Sequence, residues 1–294
     1  MRVLRQDDTD FPRELMLVEK PPAVLYAQGD LSLLKRPMAA VIGSRHPTPY
    51  GIEVAYRAAG DLARAGAVVV SGMAIGLDAR AHRAALDAGG GTIAVLGTGI
   101  DIDYPPTNAS LLREVRAKGL VLTERHPGEE ARPWHFPARN RIIAGLERCL
   151  LIVEGRADGG TSNTAGWALK MHKPIWAVPG RLGEPQAEGP NKLLQDGASI
   201  YLEPDGMLSE LGLEVPARPP DRLKVLKRQG ARVRAELTGA EATLYDLITP
   251  DPVHVDVLVV RSAIEPGLLL AALSSLELQG LVTQLPGKHF ALAS

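Results

Sequence analysis

The polar residues with the clearest chemical potential in this sequence are suited to binding anions. Gly43, Ser44 and Arg45 offer a permissive backbone, a hydroxyl and a planar guanidinium, a combination that suits phosphate, although the same triplet also occurs in ordinary strand-to-helix turns. A second turn, 159–164, contributes backbone amides, hydroxyls and a carboxamide. Its candidate donors are Gly160, Thr161 and Asn163. Neither turn contains an evident catalytic base, so both predict binding.

A helix predicted over 137–147 carries two arginines near its start. Its apolar stripe includes Ile142 and Ile143, and helical spacing places Arg139 on the same face. We therefore expect the Arg139 guanidinium to reach over the edge of the sheet toward a ligand, helped by the positive end of the helix. Arg141 is offset by two residues, so it should point elsewhere, toward backbone or a carboxylate.

Two aromatic rings, Trp134 and Phe136, precede this helix in a chain with only 4% aromatic residues. One interpretation is that both rings belong to the core. The other is that bases stack on the rings while the neighbouring arginines contact phosphates.

Six short apolar runs in the first 200 residues predict strands that are buried on both faces. They cover 39–42, 68–70, 93–96, 120–123, 150–153 and 175–178. Segments with helical periodicity alternate with them, at 49–65, 79–88, 107–117, 137–147 and 164–172. This alternation predicts an α/β fold with a Rossmann-like, doubly wound and mainly parallel sheet, whose turns, including the one at Gly72, converge at the carboxyl edge.

The sequence lacks the motifs of common cofactor and enzyme sites. Gly43-Ser44-Arg45-His46-Pro47 follows the first of these strands where GxGxxG would be needed, and there is no GxxxxGK[ST] loop, GxSxG elbow, HExxH or His/Cys cluster. The single cysteine, Cys149, starts an apolar strand and is expected to be a small core residue. We therefore predict no cofactor, no metal and no catalytic residue.

Length and composition indicate a two-domain protein outside the membrane. With 294 residues, 45% of them hydrophobic, the chain can form a full core. No run approaches the ~20 apolar residues of a spanning helix, and the N-terminus lacks the apolar stretch of a signal peptide. We expect a cytoplasmic protein that does not contact a membrane.

A change of composition divides the chain near residue 213. We predict a lead-in, 1–37, packed on a Rossmann-like domain, 38–212, followed by a Pro-rich basic linker, 213–236, and a C-terminal domain, 237–294. Between residues 218 and 234 the linker contains seven basic residues and one acid. That composition suits a solvated connection and also a contact with phosphates.

The C-terminal segment has the element pattern of a winged helix. A capping box at 238–241 starts a first helix, two more follow over 254–262 and 266–280, and a hairpin covers 281–292. The third helix contains no Lys or Arg, and 238–294 holds six acids against two bases. Groove binding needs cations that displace counterions, so a duplex-reading transcription factor is disfavoured and a protein contact or a structural role is favoured.

Together these motifs resemble the DNA-processing protein A family, also called Smf. The resemblance rests on blocks spread over most of the chain: VIGSR at 41–45, SGMAIGLD at 71–78, GTGID at 97–101, FPARNRIIAGL at 136–146 and AVPG at 177–180. The lead-in, with DFP at 10–12, is also similar to that family.

The resemblance implies a function in the handling of DNA. It implies that the protein binds single-stranded DNA, protects incoming strands and loads the RecA recombinase during natural transformation and recombination, without hydrolysing a nucleotide. It also implies a homodimer formed through the Rossmann-like domain. The family's phosphate grip falls on Gly43, Ser44 and Arg45, and its stacking ring on Phe136. The other nucleic-acid-binding candidates are Gly72, Arg139, Asn140, Arg141, Gly160, Thr161 and Asn163.

Three features depart from the family's pattern. A lysine that relatives often carry three residues before the stacking phenylalanine is Pro133 here, and Arg132 is expected to replace it. Ser162 and Asn163 occupy places where many relatives have apolar residues. The separate helical domain that begins some members is expected to be absent or to have been removed, because the lead-in starts within a dozen residues of Met1.

An alternative from another class is a nucleotide-cleaving enzyme of the lysine-decarboxylase-like group of Rossmann-like proteins. Those enzymes use a PGGxGTxxE loop at the equivalent turn, and the sequence here, DGGTSNTA at 158–165, has the glycines and lacks the glutamate. Glu154 and Glu147 lie in or beside the preceding strand and helix, so neither is a candidate for the missing base.

Overall fold

In a computed structural model, the chain is described at residues 1–215, 237–248, 253–285 and 287–292. It divides into two compact units, Met1–Pro216 and Ala217–Ser294. Most of the predicted basic linker 213–236, and Pro286 of the predicted hairpin turn, lie outside the described residues.

The strands of the first unit form one sheet. In chain order they are β1 Arg2–Arg5, β2 Val24–Gly29, β3 Met38–Ile42, β4 Val68–Ser71, β5 Gly91–Val95, β6 Leu120–Thr123, β7 Cys149–Ile152, β8 Ile175–Ala177 and β9 Ser199–Ile200. Across the sheet the order is β1-β2-β6-β5-β4-β3-β7-β8-β9. The six predicted strands correspond to β3 to β8 and pair in parallel, which confirms the predicted mainly parallel sheet.

The order of the strands reverses at β3. On one side of β3 lie β4, β5 and β6 in succession, and on the other side lie β7, β8 and β9. In doubly wound sheets such a reversal opens a crevice at the carboxyl ends of the two diverging strands, here β3 and β7, where ligands bind. The lead-in contributes β1 and β2, and β2 pairs antiparallel with β6 at the far side of the sheet.

The helices of the first unit connect and cover these strands. They are α1 Pro49–Arg64, α2 Leu77–Asp87, α3 Ala109–Lys118, α4 His135–Leu146, α5 Gly160–Lys170, α6 Glu188–Gln195 and α7 Asp205–Leu211. The helices α4 and α5 begin earlier than the predicted residues 137 and 164. Their first turns are polar, glycine-rich or aromatic, so they carry no apolar periodicity from which a start could be predicted.

Side chains along the strands alternate between two cores, one on each face of the sheet. Val68 and Val70 pack with residues of α4 and α5, whereas Val69 packs with residues of α1, α2 and α7. Both faces of the sheet are therefore shielded from solvent, which explains the unbroken apolar runs in the sequence. Cys149 is fully buried in the second core, as predicted.

The second unit has the predicted winged-helix arrangement. Its elements are α8 Gly239–Leu247, β10 Val253–His254, α9 Val255–Ser262, α10 Pro266–Leu278, β11 Val282–Leu285 and β12 His289–Leu292, with the three strands in the order β10-β12-β11. Glu265 caps α10 by accepting the Leu268 N–H. Thr238 occupies the N-cap of α8, but its side chain makes no capping hydrogen bond, so the predicted capping box is not formed.

Among the described helices, none is long and apolar enough on its own to cross a membrane. The helices α9 and α10 meet the length and composition criteria only as a pair, and they are bent by 116° relative to each other.

Candidate nucleic-acid interface

A cleft of about 750 Å³ opens at the carboxyl ends of β3 and β7, where the strand order reverses. Its walls are the turns that follow β3 and β7 and the first turns of α4 and α5. The predicted residues that line it are Gly43, Ser44, Arg45, Phe136, Arg139, Asn140, Gly160 and Thr161. A smaller pocket of about 80 Å³ shares Arg45 and Phe136 with the cleft and also contains Gly72.

Seven further polar or aromatic residues line the cleft beyond the predicted set. They are His46, Asp78, Tyr104, Arg132, Arg156, Thr164 and Gln186. Arg132 is the arginine expected to replace the family's lysine. Arg156 and His46 each follow a strand by a few residues, so their positions in the sequence could have identified them as candidates. Gln186 comes from a distant segment, and only the tertiary structure brings it to the cleft.

The cleft is rich in positive charge. Arg45, Arg132, Arg139 and Arg156 line it, and Asp78 is the one carboxylate among its described lining residues. Asp78 is 6% exposed and its charge is directed into the protein. Such an excess of cations attracts a polyanion even though the whole chain has a formal net charge of −1.

Asp78, at the start of α2, holds the turns after β3 and β4 together. Its carboxylate accepts the Gly72 N–H at 3.1 Å and also bonds the backbone of Ala74 and Gly43. Burial raises the pKa of Asp78, while Arg139 and these backbone bonds act in the opposite direction. The amides of Gly43 and Gly72, predicted to hold phosphate, therefore already bind an internal carboxylate. The prediction is corrected for these two amides, because Asp78 occupies the place of the anion.

Arg139 is buried at the floor of the cleft, with 4% of its surface exposed. Its guanidinium donates to the Gly72 carbonyl at 2.7 Å and to the Val95 carbonyl, and its Nε donates to Asn140 Oδ1 at 3.3 Å. Burial lowers the pKa of Arg139 to about 10, and Asp78 opposes this shift. The predicted reach over the sheet edge is therefore wrong, because the carbonyls at the ends of β4 and β5 satisfy the side chain.

Arg141 points away from the cleft, as its helical offset predicted. It forms a two-pronged ion pair with Glu124, at 2.7 and 2.6 Å, and its Nε donates to the Lys20 carbonyl at 3.0 Å. Only 11% of the side chain is exposed. The interpretation that Arg141 binds a carboxylate and backbone is confirmed. Because these partners occupy its guanidinium, the prediction that Arg141 also binds nucleic acid is corrected.

The helix α2 packs so closely against position 43 that a glycine is needed there. A Cβ atom at this position would lie 2.3 Å from Leu77 Cδ1, at the start of α2. The neighbouring Gly76 has a φ of 84°, and a Cβ there would lie 2.3 Å from the Ser44 carbonyl oxygen. The close approach of α2 to the turn after β3 therefore accounts for both glycines, and the approach of a ligand is not needed to explain them.

Ser44 and Arg45 are the residues of this turn that remain available to a ligand. Ser44 Oγ accepts the His46 N–H at 3.0 Å, which leaves the hydroxyl proton free to donate. Arg45 is exposed, and no carboxylate within the described residues lies within 4.0 Å of it. Its guanidinium lies 5.5 Å from the centre of the Phe136 ring. A cation and a ring thus face the same side of the cleft.

Phe136 lies in the first turn of α4 and forms an aromatic wall with Tyr104. The two ring centres are 5.5 Å apart, with 31° between the planes. The Phe136 ring rests on Gly97 at the end of β5, where a Cβ atom would lie 2.9 Å from Phe136 Cδ1. Gly97 therefore fixes the position of the ring.

The first turns of α4 and α5 are joined by their amide side chains. Asn140 Nδ2 donates to Asn163 Oδ1 at 3.2 Å and lies 3.4 Å from the Gly160 carbonyl. Asn163 is exposed but is absent from the residues that line the cleft, so the structure places it at the rim. Gly160 and Thr161 line the cleft at the positive end of α5.

The acidic residue Glu154, near the cleft, has a structural partner. Glu154 is 5% exposed and accepts the Thr48 N–H at 2.9 Å and the Thr48 hydroxyl, at the start of α1. Glu147, which is 1% exposed, lies away from the cleft, between the end of α4 and the start of β7. Throughout the described ranges, no group of three or more His, Cys, Asp or Glu side chains is placed to hold a metal ion.

Comparisons of the sequence with known families agree with this geometry. A family model described as DNA recombination-mediator protein A matches residues 2–212, and one described as DprA winged helix domain matches residues 229–288. Protein Smf of Synechocystis sp. is 35% identical, over 98% of this chain and 79% of that protein. The DNA processing protein DprA of Bacillus subtilis is 39% identical, over 68% of each chain.

Two of the similar solved structures are of proteins named DNA processing protein A. The DNA processing protein A of Streptococcus pneumoniae has a TM-score of 0.69 and 37% identity, over 71% of this chain and 74% of that one. The DNA processing protein A of Helicobacter pylori, solved for its single-stranded DNA binding mode, has a TM-score of 0.65 and 31% identity, over 72% of this chain and 96% of that one. With these similarities and a family match across residues 2–212, the chain belongs to the DNA processing protein A family.

Proposed function

We propose that this chain binds single-stranded DNA in the cleft at the ends of β3 and β7. The observation that carries the proposal is that three exposed guanidinium groups, those of Arg45, Arg132 and Arg156, and an aromatic wall line one cleft, whose single described carboxylate is bound internally. Cations suit the phosphates and exposed rings suit unpaired bases, which is the combination that proteins use for single strands.

Each part of the cleft has a distinct role in this proposal. Arg45 and the Ser44 hydroxyl hold one phosphate, while the start of α5 with Gly160, Thr161 and the nearby Arg156 holds another. A base stacks at Phe136, beside the Arg45 guanidinium. The role of Arg139 and Asp78 is to fix the strand ends that carry these groups.

Binding of this kind should discriminate single from double strands and should depend little on sequence. Every base has a face that can stack on Phe136, and the cations contact only the phosphate backbone. In a duplex the bases stack on one another and cannot reach the ring without an energetic cost of unstacking.

Membership in the family extends the proposal to a biological role. We infer that the bound strand is incoming DNA that the protein protects and passes to the RecA recombinase during natural transformation and recombination. The support for this role is the match to the recombination-mediator family and the single-stranded DNA binding of the similar Helicobacter pylori protein. The chain acts in it as a binding protein and not as an enzyme.

We also propose that two copies associate through the Rossmann-like unit, at the β9 edge of the sheet. The other edge strand, β1, carries Arg2 and Arg5, and charges on an edge strand discourage pairing with another chain. At β9 the apolar Ile200 is 50% exposed, and Leu202, just beyond it, is 69% exposed. A dimer would present two clefts to one long strand and gain affinity by multivalency.

The test of the proposed function is fluorescence anisotropy of labelled oligothymidine and of a matched duplex, over a range of salt concentrations. We expect preference for the single strand, with log affinity falling by about 0.7 per phosphate contact for each tenfold rise in salt. Arg45→Ala should weaken binding about tenfold and reduce that slope, because one charge-assisted contact is lost.

The matched control is Arg113→Ala, which removes an exposed arginine on α3 that does not line the cleft. This variant should bind like the wild type. Equal affinities for the Arg45→Ala and wild-type proteins, or a preference for the duplex, would reject the assignment of the cleft.

A further inference from the structure

Trp134, immediately before α4, is an exposed tryptophan beside the cleft. It is 63% exposed, whereas Trp176 and Trp167 are partly buried against the two cores. A single exposed apolar side chain is common on protein surfaces and has no meaning by itself. Trp134 differs from such side chains in the residues that surround it.

Arg132 connects Trp134 to the cleft. The Arg132 guanidinium lies 5.7 Å from the centre of the Trp134 ring and also lines the cleft. In the part of the chain that the structure describes, no carboxylate lies within 4.0 Å of Arg132. The indole ring is therefore next to an unneutralised cation at the mouth of the cleft.

The turn that carries this pair is held in place. The Arg132 carbonyl accepts the His135 N–H at 3.0 Å, and the Trp134 ring meets the His135 ring edge-on at 5.9 Å. His135 is 3% exposed, with Nδ1 3.1 Å from the Gly97 carbonyl and Nε2 3.2 Å from Glu129 Oε1. A platform that is already ordered loses little entropy when a base settles on it.

We propose that Trp134 and Arg132 form a second stacking platform, which takes the nucleotide next to the one held at Phe136 and Arg45. Arg132 covers part of one indole face and contacts the phosphate, and the exposed part of the ring takes the base. Arg132 lines the cleft and the Trp134 ring lies just outside it, so the platform binds a strand where the strand leaves the cleft. This inference rests on the proposed single-strand binding and extends its footprint by one nucleotide.

The test is a series of oligothymidines that increase by one nucleotide, measured by anisotropy against the full-length chain. Wild-type affinity should rise in steps as each subsite is filled. Trp134→Ala should not change the affinity for the shortest oligomers that bind the wild type. At greater length it should remove one of the steps, which corresponds to a loss of about tenfold in affinity. Trp134→Phe should restore most of that step, because it keeps a ring.

Phe136→Ala distinguishes a failure of this inference from a failure of the proposed function. It should weaken binding at every length, because it removes the stacking ring inside the cleft. If Phe136→Ala weakens binding and Trp134→Ala has the wild-type affinity at every length, the second platform is rejected and the proposed binding of single strands in the cleft is retained. If neither substitution matters, the proposed function fails as well.

Two further readouts test the platform directly. Tryptophan fluorescence of the wild type should be quenched when a long oligothymidine binds, and Trp134→Phe, which retains Trp167 and Trp176, should lose the quenching. Arg132→Gln should make the salt dependence shallower by about 0.7, the contribution of one phosphate contact in a single strand. Quenching that persists in Trp134→Phe, or an unchanged slope in Arg132→Gln, would overturn the assignment.

Discussion

At the scale of single residues, the cleft is organised by two buried charges whose partners lie within the protein. Asp78 binds the backbone at Gly72, Ala74 and Gly43, and Arg139 bonds the carbonyls at the ends of β4 and β5. Each charge is buried, so each is stable only while its partners remain in place. Groups of this kind keep a binding site in its active geometry before the ligand arrives.

Asp78→Ala should therefore be strongly destabilising, because it leaves the amides of Gly43 and Gly72 and the buried Arg139 without their acid. We expect the free energy of unfolding to fall by about 3–5 kcal/mol, measured by denaturant titration. The control Glu53→Ala removes an exposed acid on α1 and should change stability by less than about 0.5 kcal/mol.

A double substitution tests the coupling between these two charges. Asp78→Ala combined with Arg139→Met should cost less than the sum of the single changes, because no unpaired buried charge remains. Strictly additive losses would show that Asp78 and Arg139 act independently.

A second buried acid, Glu147, links stability to pH. Burial raises the pKa of its carboxyl from 4.5 to about 8, and the nearby Lys173 opposes the shift. Lys173 Nζ instead donates to the carbonyls of Ala144, Gly145 and Glu147. The folded state thus binds a proton at Glu147 at pH values where the unfolded state has lost it.

The free energy of unfolding should fall as pH rises from about 4.5 toward 8. Over this range the Glu147 carboxyl loses its proton in the unfolded state, whereas in the folded state it must either keep the proton or ionise while buried. The expected slope is about 1 kcal/mol per pH unit, measured by urea titration between about pH 6.5 and 8. Glu147→Gln should flatten this slope, and the exposed control Glu53→Gln should retain it. A wild-type stability that rises over this range would contradict the assignment.

At the scale of elements, the site depends on how closely helices approach the strand ends. The turn after β3 accepts α2 because of Gly43 and Gly76, and the start of α4 rests on the end of β5 because of Gly97. These contacts aim the first turns of α2 and α4 at one carboxyl edge. The cleft is therefore a consequence of helix packing as much as of the residues that line it.

Gly97→Ala should displace the Phe136 ring, because a Cβ atom would lie 2.9 Å from its Cδ1 atom. We expect single-strand affinity to fall about tenfold and stability to fall by about 1–3 kcal/mol. Gly166→Ala in α5 is the control: its Cβ meets no atom within 4 Å, so affinity should be unchanged and the helix slightly stabilised. Wild-type affinity in Gly97→Ala would show that the ring position does not matter.

At the scale of the whole molecule, the two edges of the sheet differ in their capacity for association. One edge is protected by the arginines of β1, and the other exposes Ile200 and Leu202 around β9. Negative charge placed on the apolar edge should oppose its pairing with a second copy.

We expect Ile200→Asp together with Leu202→Asp to shift the protein from dimer to monomer in sedimentation velocity. Affinity for long single strands should fall, while affinity for short oligomers that occupy one cleft should not change. Leu17→Asp alters an equally apolar position, 80% exposed and away from β9, and should leave the dimer intact. A wild-type monomer, or a dimer that survives the double substitution, would contradict the proposed interface.

Much of the architecture was predictable from the sequence because local patterns determine it. The unbroken apolar runs predicted the six parallel strands, and helical spacing placed Arg141 away from the face of Arg139. Two features escaped prediction for lack of a local signal. The lead-in strands β1 and β2 contain exposed or half-buried positions and therefore lack the unbroken apolar runs of the buried strands, and the early starts of α4 and α5 carry no apolar period.

The sequence by itself determined the doubly wound sheet, the winged-helix arrangement and the edge at which polar turns meet, because hydrophobic periodicity and glycine placement act over a few residues. Only the tertiary structure decided which of those polar groups remain free. Whether Arg139 meets a ligand or the carbonyls of two strands depends on distances between segments far apart in the chain. The same holds for the amides of Gly43 and Gly72, which Asp78 occupies, and for Arg45 and Arg132, which no described acid neutralises.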